Sequence, residues 1–335
     1  IGKKVLFSYR MAMQEIFSHT PREDIYKLVK SIFTFTAIAE LLGAVLLTIH
    51  WSRELPFLEA VYTAVFHSVS AFCNAGFCLY PDSFIDYRSS VILNTTICLL
   101  IIFGSIGFPV VYEIYVRRFA LYDRNRRKKY SVQTKTVLLT TGILIPLGAA
   151  VFLFTDMEHI GSGNWPEKIM ASIFQSVTAR TAGFNTVEIG AMNSTALTFM
   201  MFLMFIGASP GSCGGGVKTT TLALLSKLSL SRLRGKIRVN MFRKTIPENT
   251  VNRSISIVFL SMIIILVFFF FILYTQQDQT RNGYHGVFLE YLFETISAFG
   301  TVGLSTGVTS TLTSLGKVYI IFLMLIGRLG VTVFA

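Results

Sequence analysis

The chain has 335 residues, of which 52% are apolar and 14% are charged, whereas ordinary soluble domains carry about 25% charged residues. Together with a mean hydropathy of +0.59, this composition indicates that lipid covers much of the protein surface. The net charge of +12 is concentrated in three short blocks between apolar stretches, which is typical of the cytoplasmic loops of membrane proteins. The distribution of charge therefore argues against a nucleic-acid-binding protein.

Cysteines and histidines, four and five in number, form no pattern typical of a catalytic or metal site. The sequence contains no CxxC pair, and no cysteine has a histidine at a metal-ligand spacing. The histidines are scattered, and none is paired with a nucleophile. We therefore expect neither enzymatic activity nor a cofactor.

A membrane-spanning helix needs about 20 largely apolar residues. The sequence predicts six such helices, of which the fourth begins near Ala196, is apolar to Ile206 and resumes around Leu222. The other five are Ser31–Trp51, Val91–Val116, Val137–Phe154, Ile255–Tyr274 and Val318–Ala335. Each successive pair encloses an apolar segment of only 12 to 15 residues, namely Leu58–Phe72, Glu167–Thr178 and Gly286–Phe299. Segments of that length are typical of re-entrant helices or of buried core helices.

The basic blocks determine the predicted topology. They lie in residues 1–30, 117–135 and 227–244, whereas the intervening connections are mainly acidic, with Asp82, Asp86, Asp156, Glu158 and Asp278. Because basic loops stay in the cytoplasm, the short apolar segments should enter the membrane from outside. The predicted order is a cytoplasmic linker 1–30, unit A 31–116, a basic loop 117–136, unit B 137–226, a basic loop 227–253 and unit C 254–335. The fold class is therefore an all-α polytopic membrane protein, with parallel repeats of spanning helix, re-entrant pore helix and loop, and spanning helix.

The short segments of the three units end in related sequences, Phe66–Phe77, Phe174–Phe184 and Phe293–Leu304. Each begins with phenylalanine and a polar residue and closes on a polar–apolar–glycine–apolar tetrad. The tetrad glycines at positions 76, 183 and 303 are 107 and 120 residues apart. An ordinary turn after a buried helix is the alternative for any single tetrad, but three copies in equivalent places favour a repeated functional element.

The tetrads are candidates for a cation filter. Non-helical backbone within the membrane must be buried in protein or line a watery cavity, and the end of the preceding helix carries a partial negative charge. Rings of carbonyls, such as those of the TVGYG loops, replace the hydration shell of K⁺. The predicted filter residues are Asn74, Ala75, Gly76, Thr181, Ala182, Gly183, Thr301, Val302 and Gly303. A ring needs about four contributors, so we expect the chain to be a piece of a longer protein whose first unit precedes Ile1.

The predicted fourth helix is interrupted by the run Gly207–Gly216. Glycine and proline cost about 1 and 3 kcal/mol in a helix interior, so this run should form a loop below the filter. The predicted gate residues are Gly207, Ser209, Pro210, Gly211, Gly214, Gly215, Gly216 and Arg328. A passive kink is the alternative for the loop. For Arg328, the one charge of its apolar segment, the alternative is snorkelling to the membrane interface. Arg180 should point into the supporting shell, with Glu294 as a candidate partner.

The three tetrads, the interruption and Gly327-Arg328-Leu329-Gly330 together resemble the Trk/Ktr/HKT superfamily of potassium transporters, and the Ktr-type membrane subunit above all. The resemblance covers the chain as the second to fourth of four repeats. It implies a single-file K⁺ filter with one glycine per repeat, an intramembrane gating loop at Gly207–Gly216 and a charged constriction at Arg328. It also implies a homodimer on a cytosolic ring of nucleotide-binding regulatory subunits, in the lipid bilayer of a bacterial plasma membrane.

Two classes of transport remain open at this stage. The first is a gated conduit for K⁺ in which Na⁺ is a possible second ion. The other is an ion-coupled secondary transporter, such as a Na⁺/K⁺ symporter, with a binding site at the membrane midplane. Secondary transporters of that kind often have inverted repeats, whereas all three units here start inside, which favours the conduit.

Overall fold

The computed structural model describes residues 25–120, 130–155, 164–276 and 287–330. Most of the predicted cytoplasmic linker 1–30 and three of the predicted external acidic residues, Asp156, Glu158 and Asp278, lie outside the described residues.

The described chain is almost entirely helical. Its helices are α1 Ile25–Trp51, α2 Phe57–Phe72, α3 Val91–Ile106, α4 Phe108–Ala120, α5 Val132–Thr155, α6 Trp165–Thr178, α7 Ser194–Phe205, α8 Thr219–Leu233, α9 Glu248–Thr275, α10 Val287–Gly300 and α11 Ser314–Leu329. Two strands, β1 Asn240–Met241 and β2 Lys244–Thr245, form an antiparallel hairpin between α8 and α9. Two short 3₁₀ turns, Ile189–Ala191 and Val308–Thr311, precede α7 and α11.

Within the described residues, three helices are long and apolar enough to cross a membrane, and a bent pair gives a fourth candidate. The three are Val29–Trp51, Val132–Thr155 and Glu248–Thr275, of 23, 24 and 28 residues. Many of their large apolar side chains are exposed to the surroundings, including Leu41 and Phe270, which are 67% and 66% exposed. Such faces suit a lipid environment, so the predicted all-α membrane fold is confirmed.

The predicted spanning helix Val91–Val116 is observed as two helices, α3 and α4. The chain bends by 94° between α3 and α4, at Gly107, whose φ is +95°. The amide of Phe108 donates to the carbonyl of Gly211 at 2.9 Å, and Pro109 has no amide hydrogen to continue the helix. The sequence signal was the Gly107-Phe108-Pro109 run, which the apolar pattern concealed.

The β1–β2 hairpin also escaped sequence reasoning. Its turn residues Phe242 and Arg243 both have positive φ, +49° and +66°, although neither is a residue type typical of such turns. Val239 next to the hairpin packs with Leu224 and Val251 of the flanking helices. Tertiary packing therefore sets this turn, which local residue preference does not predict.

Short polar side chains start the last helix of each unit. The side chains of Ser90, Asn193 and Thr313 accept hydrogen bonds from the amides of Leu93, Ala196 and Gly316, at 3.4, 2.8 and 3.1 Å. These caps satisfy amides that the first turn of a helix leaves free. They explain why α3, α7 and α11 begin where they do.

In units A and B the pore helix is bonded to the first spanning helix in the same way. Ser68 of α2 donates to the carbonyl of Glu40, and Ser176 of α6 donates to the carbonyl of Ile145, at 2.7 and 2.8 Å. The close approach depends on a glycine, because a Cβ atom at Gly43 or Gly148 would overlap the serine hydroxyl. These bonds hold each pore helix at a fixed depth.

The core lies between neighbouring units. The first helix after the pore helix of unit A, α3, packs on the pore helix α6 of unit B, and the corresponding helix α7 of unit B packs on α10 of unit C. One apolar cluster joins Leu93 and Ile97 to Phe174 and Ala182, and a second joins Met200 and Met204 to Phe293 and Val302. Each core thus ends on a predicted filter residue, which the packing immobilises.

Candidate ion-conduction site

The predicted filter segments, residues 74–76, 181–183 and 301–303 and below called the filter segments, share one backbone conformation. Each first residue has a positive φ, +51° at Asn74, +76° at Thr181 and +52° at Thr301. Each glycine does as well, with +71° at Gly76, +88° at Gly183 and +90° at Gly303. Left-handed backbone costs about 1–2 kcal/mol for a residue other than glycine. The surrounding structure must therefore hold the three polar residues in place.

Two hydrogen bonds fasten each filter segment to its own pore helix. A hydroxyl in the last turn of the helix donates to the carbonyl that follows the filter glycine: Ser70 to Phe77 at 2.8 Å, Thr178 to Phe184 at 2.5 Å and Ser297 to Leu304 at 2.7 Å. The amides of Ala75, Ala182 and Val302 donate to the carbonyls of the same three hydroxyl residues at 2.9, 3.0 and 2.9 Å. The segment is therefore a closed, rigid loop in each unit.

The three filter segments meet one another. The side-chain amide of Asn74 donates to the Thr181 hydroxyl at 3.1 Å. A Cβ atom placed on Gly183 would lie 3.3 Å from the Cα of Gly76 and 3.5 Å from the Cα of Gly303, and would overlap the carbonyl of Val302. The glycines of three units that are far apart in sequence thus form one cluster. A side chain at Gly183 would push the segments apart.

The filter-bearing motif is one residue shorter in unit B, Phe174–Phe184, than in the other two units.

Arg180 precedes the filter segment of unit B and is 2% exposed, with its guanidinium donating to the Thr141 hydroxyl at 3.4 Å. The predicted pairing of Arg180 with Glu294 is wrong. The carboxylate of Glu294 accepts hydrogen bonds from the hydroxyls of Ser305 and Thr309 instead. This is because its position on α10 faces the segment that follows the filter segment of unit C.

The chemistry available here is that of backbone carbonyls and helix ends. The pore helices α2, α6 and α10 all end immediately before a filter segment. The carboxyl end of a helix has free carbonyls and about half a negative charge. Three such helix ends close to one glycine cluster give this region a negative electrostatic potential.

The run Gly207–Gly216, here called the glycine loop, lies between α7 and α8 and contacts the filter segments. A Cβ atom on Gly214 would overlap the Thr181 side chain, and the amide of Gly215 donates to the Thr301 hydroxyl at 3.1 Å. Both threonines are the first residues of their filter segments. By the predicted topology, the glycine loop therefore lies on the cytoplasmic side of the glycine cluster.

The glycine loop is also bonded to the bend of unit A. The amides of Ser209 and Cys213 donate to the carbonyls of Ser105 and Gly104, at 3.1 and 3.2 Å. The Ser209 hydroxyl further bonds the Thr219 hydroxyl at 2.9 Å, at the start of α8. The loop thus bridges units A, B and C, and the bend at Gly107 provides the space for it.

Two basic side chains reach carbonyls of the glycine loop. The guanidinium of Arg328, on α11, donates to the carbonyl of Cys213. The ammonium of Lys218 donates to the carbonyl of Gly214 at 2.9 Å. Lys218 was missed by sequence reasoning, as were the hydroxyls of Ser70, Thr178 and Ser297. A hydroxyl five or six residues before each filter glycine was the signal available for the latter three.

Comparisons with known proteins agree with this architecture. The model of the TrkH family, described as cation transport protein, matches residues 1–335. Ktr system potassium uptake protein B of Bacillus subtilis is 35% identical over 336 residues, with 98% of this chain and 72% of the relative covered. Potassium/sodium uptake protein NtpJ of Enterococcus hirae is 35% identical over 332 residues, with 98% and 71% covered.

A solved structure has the same fold. The crystal structure of the potassium transporter TrkH from Vibrio parahaemolyticus superimposes with a TM-score of 0.72, at 18% identity, and covers 95% of this chain and 66% of the solved chain. The predicted resemblance to the Trk/Ktr/HKT superfamily is confirmed by these matches. The chain belongs to the TrkH family of cation transport proteins.

Proposed function

We propose that this chain forms most of a gated, potassium-selective pore in the plasma membrane. The observation that carries the proposal is the cluster of Gly76, Gly183 and Gly303, on three loops with the same backbone conformation and the same hydroxyl bond to the pore helix. The similarity to proteins named potassium uptake protein supports K⁺ as the permeant ion.

In the proposed mechanism, K⁺ leaves its hydration shell at the outer mouth and passes along carbonyls of the filter segments. Rigid oxygens favour one ion over another by the number and strength of their dipoles and by the space between them. The hydroxyl bonds of Ser70, Thr178 and Ser297 supply that rigidity. The ends of the three pore helices lower the electrostatic energy of a cation at the inner end of the filter.

A fourth filter-bearing unit is needed to complete the ring of carbonyls, and the exposed surface of unit A is suited to contact such a unit. The pore helices α6 and α10 each pack against a helix of the preceding unit, α3 and α7. On α2 a stripe of apolar residues is exposed: Leu58 81%, Tyr62 63%, Val65 47% and Val69 40%. We infer that the last helix of a further unit packs on this stripe in the complete protein.

The glycine loop and Arg328 are the proposed gate. The loop contacts the inner filter residues Thr181 and Thr301, and Arg328 holds it through the Cys213 carbonyl. A guanidinium below a cation filter raises the barrier for K⁺. Opening then requires the bond between Arg328 and Cys213 to break and the glycine loop to move away from the pore axis.

The proposed assembly is a homodimer bound to a cytosolic ring of nucleotide-binding regulatory subunits. Its support is the similarity to proteins named as members of a Ktr system. Coupling to Na⁺ is the second candidate, because another relative at 35% identity is named a potassium/sodium uptake protein.

Rubidium uptake tests the proposal. The complete protein, expressed with its regulatory subunit in potassium-starved bacteria that lack their own K⁺ uptake systems, should restore growth and ⁸⁶Rb⁺ uptake. Adding Na⁺ in the same assay separates a conduit, in which Na⁺ leaves uptake unchanged, from a symporter, in which Na⁺ stimulates it. Deletion of Gly207–Gly216 should raise uptake and abolish its regulation. A complete, membrane-inserted protein without Rb⁺ uptake would refute the proposed function.

A further inference from the structure

The second residue of each filter-bearing motif is polar and buried. His67, Gln175 and Glu294 each follow a phenylalanine near the middle of a pore helix, and they are 0%, 0% and 7% exposed. A buried polar side chain needs hydrogen-bond partners, because an unpaired one costs about 1–3 kcal/mol. The hydrogen-bond partners of these three side chains therefore indicate the role of the second residue in each motif.

Glu294 bonds the segment that follows the filter of unit C. Its Oε1 accepts from the Ser305 hydroxyl at 2.5 Å and from the Thr306 amide at 3.1 Å. Its Oε2 accepts from the Thr309 hydroxyl at 2.7 Å. The Ser305 oxygen also accepts from the amide of Gly307 at 2.9 Å, so one carboxylate organises the whole turn 305–309.

This turn adjoins the filter directly. Gly303 is followed by Leu304, whose carbonyl accepts from Ser297, one turn along α10 from Glu294. Ser297 donates to the carbonyl of Leu304, and Glu294 accepts from the hydroxyl of Ser305 and the amide of Thr306. The two side chains therefore bond three consecutive residues. These bonds restrict the backbone immediately after Gly303.

His67 makes the equivalent bond in unit A with different chemistry. Its Nε2 accepts from the amide of Leu79 at 3.2 Å, while Nδ1 lies 2.8 Å from the Thr63 carbonyl. A carbonyl cannot donate, so Nδ1 carries the proton and Nε2 is the acceptor. Leu79 and Thr306 are both the third residue after their filter glycine. Two unrelated side chains thus accept from the same backbone position.

Unit B differs from the other two units. Both polar atoms of the Gln175 amide are without a hydrogen-bond partner among the residues that the structure describes. The hydrogen bonding between the pore helix and the segment that follows the filter glycine therefore differs among the three units. Unit C has the most extensive form, because the two carboxyl oxygens of Glu294 accept from the Ser305 hydroxyl, the Thr306 amide and the Thr309 hydroxyl.

We propose that Glu294 is a positioning residue of the pore, whose carboxylate fixes the turn 305–309 and thereby the orientation of the Gly303 peptide in the filter. The inference rests on the proposed K⁺ conduction. It assigns to Glu294 an effect on ion discrimination, whereas a residue that only stabilised the fold would change the amount of protein and the flux of all ions alike.

The test compares matched variants in the complete protein, with Na⁺ competition against ⁸⁶Rb⁺ uptake as the readout and membrane-inserted protein measured in parallel. Glu294→Ala should reduce Rb⁺-over-Na⁺ discrimination about tenfold, equivalent to about 1.4 kcal/mol. Glu294→Gln, which keeps one acceptor oxygen, should stay within about threefold of the wild type. Glu290→Gln, one helical turn earlier on α10, is the matched control and should not change the ratio.

A second variant removes the partner instead of the acid. Thr309→Val deletes the hydroxyl at 2.7 Å from Glu294. Ser310→Ala is the control, since Ser310 is exposed and its hydroxyl donates to the Gly307 carbonyl at 3.0 Å, within its own turn. Thr309→Val should lower discrimination, and its effect should be less than additive with that of Glu294→Ala. If Glu294→Ala does not insert, Thr309→Val alone decides the question.

The outcomes separate this inference from the proposed function. Wild-type discrimination in Glu294→Ala or in Thr309→Val, or additive effects of the two, would overturn the positioning role. If the wild type itself shows no Rb⁺ uptake, the proposed function fails. If the wild type discriminates, Gly303→Ser does not and Glu294→Ala does, only the role of Glu294 is refuted.

Discussion

The substitution Gly303→Ser tests the filter at its most accessible point. The φ of Gly303 is +90°, a conformation that L residues rarely adopt. A Cβ atom at this position would lie 3.7 Å from the Cα of Gly183 and meet nothing nearer. Serine therefore fits into the available space, and the variant should fold.

The expected magnitude follows from the backbone strain. A positive φ costs an L residue about 1–2 kcal/mol, and rotation of the 302–303 peptides would relieve that strain while moving their carbonyls. A loss of about 1.4 kcal/mol in the preference for K⁺ over Na⁺ is tenfold. We therefore expect Gly303→Ser to reduce K⁺-over-Na⁺ discrimination by about one order of magnitude, with flux retained.

The assay is Na⁺ competition against ⁸⁶Rb⁺ uptake by the complete protein in cells without other K⁺ uptake. Gly235→Ser is the matched control, because Gly235 also has a positive φ, +69°, with nothing within 4 Å of an added Cβ, and lies in the basic loop. It should carry similar strain without affecting discrimination. A folded Gly303→Ser protein with the selectivity of the wild type would refute the filter assignment.

Three further substitutions follow from individual contacts. Arg328→Gln removes the charge that holds the Cys213 carbonyl. Because a hydrogen bond to a charged group is worth about 1.5–3 kcal/mol and about 1.4 kcal/mol is tenfold, basal Rb⁺ uptake should rise about tenfold or more; unchanged uptake would mean that Arg328 is not part of the gate. Gly104→Ala would overlap the Phe72 carbonyl and should lower the yield of monodisperse protein in detergent, whereas Gly142→Ala, with nothing within 4 Å, should not; equal yields would contradict the packing of α3. Arg88→Gln breaks the 2.8 Å ion pair with Glu167, whose two side chains are partly exposed. The free energy of unfolding, measured by thermal denaturation, should therefore fall by less than about 1 kcal/mol. A larger loss would show that the pair fixes units A and B together.

Periodicity and charge predicted the helices well because membrane insertion depends on local composition. The predicted span Val137–Phe154 is observed as Val132–Thr155, and the short segment Leu58–Phe72 as Phe57–Phe72. The differences arise at the ends, where polar caps such as Asn193 and not apolar residues set the first turn. The bend at Gly107 was missed because it depends on a bond to Gly211, over 100 residues away.

The residues of the candidate site also divide into those that the sequence predicts and those that only the structure shows. The three glycines could be found in the sequence because each recurs in an equivalent motif. The roles of Glu294, Lys218 and Arg180 could not, since each depends on what faces the side chain. Glu294 was expected beside Arg180, yet it accepts hydrogen bonds from residues 305, 306 and 309 of its own unit.

The sequence by itself therefore determined the membrane environment, the positions of the main apolar segments, the repeated glycine motif and the interruption at 207–216. Those properties depend on composition and on spacing along the chain. The tertiary structure alone decided that Gly76, Gly183 and Gly303 share one cluster and that the glycine loop lies against Thr181 and Thr301. It also decided which hydroxyl bonds the residue after each filter glycine and that the Glu294 carboxylate bonds residues 305, 306 and 309. The physical reason is that such contacts join residues distant in sequence, and their strength depends on distances and burial that only the packed helices define.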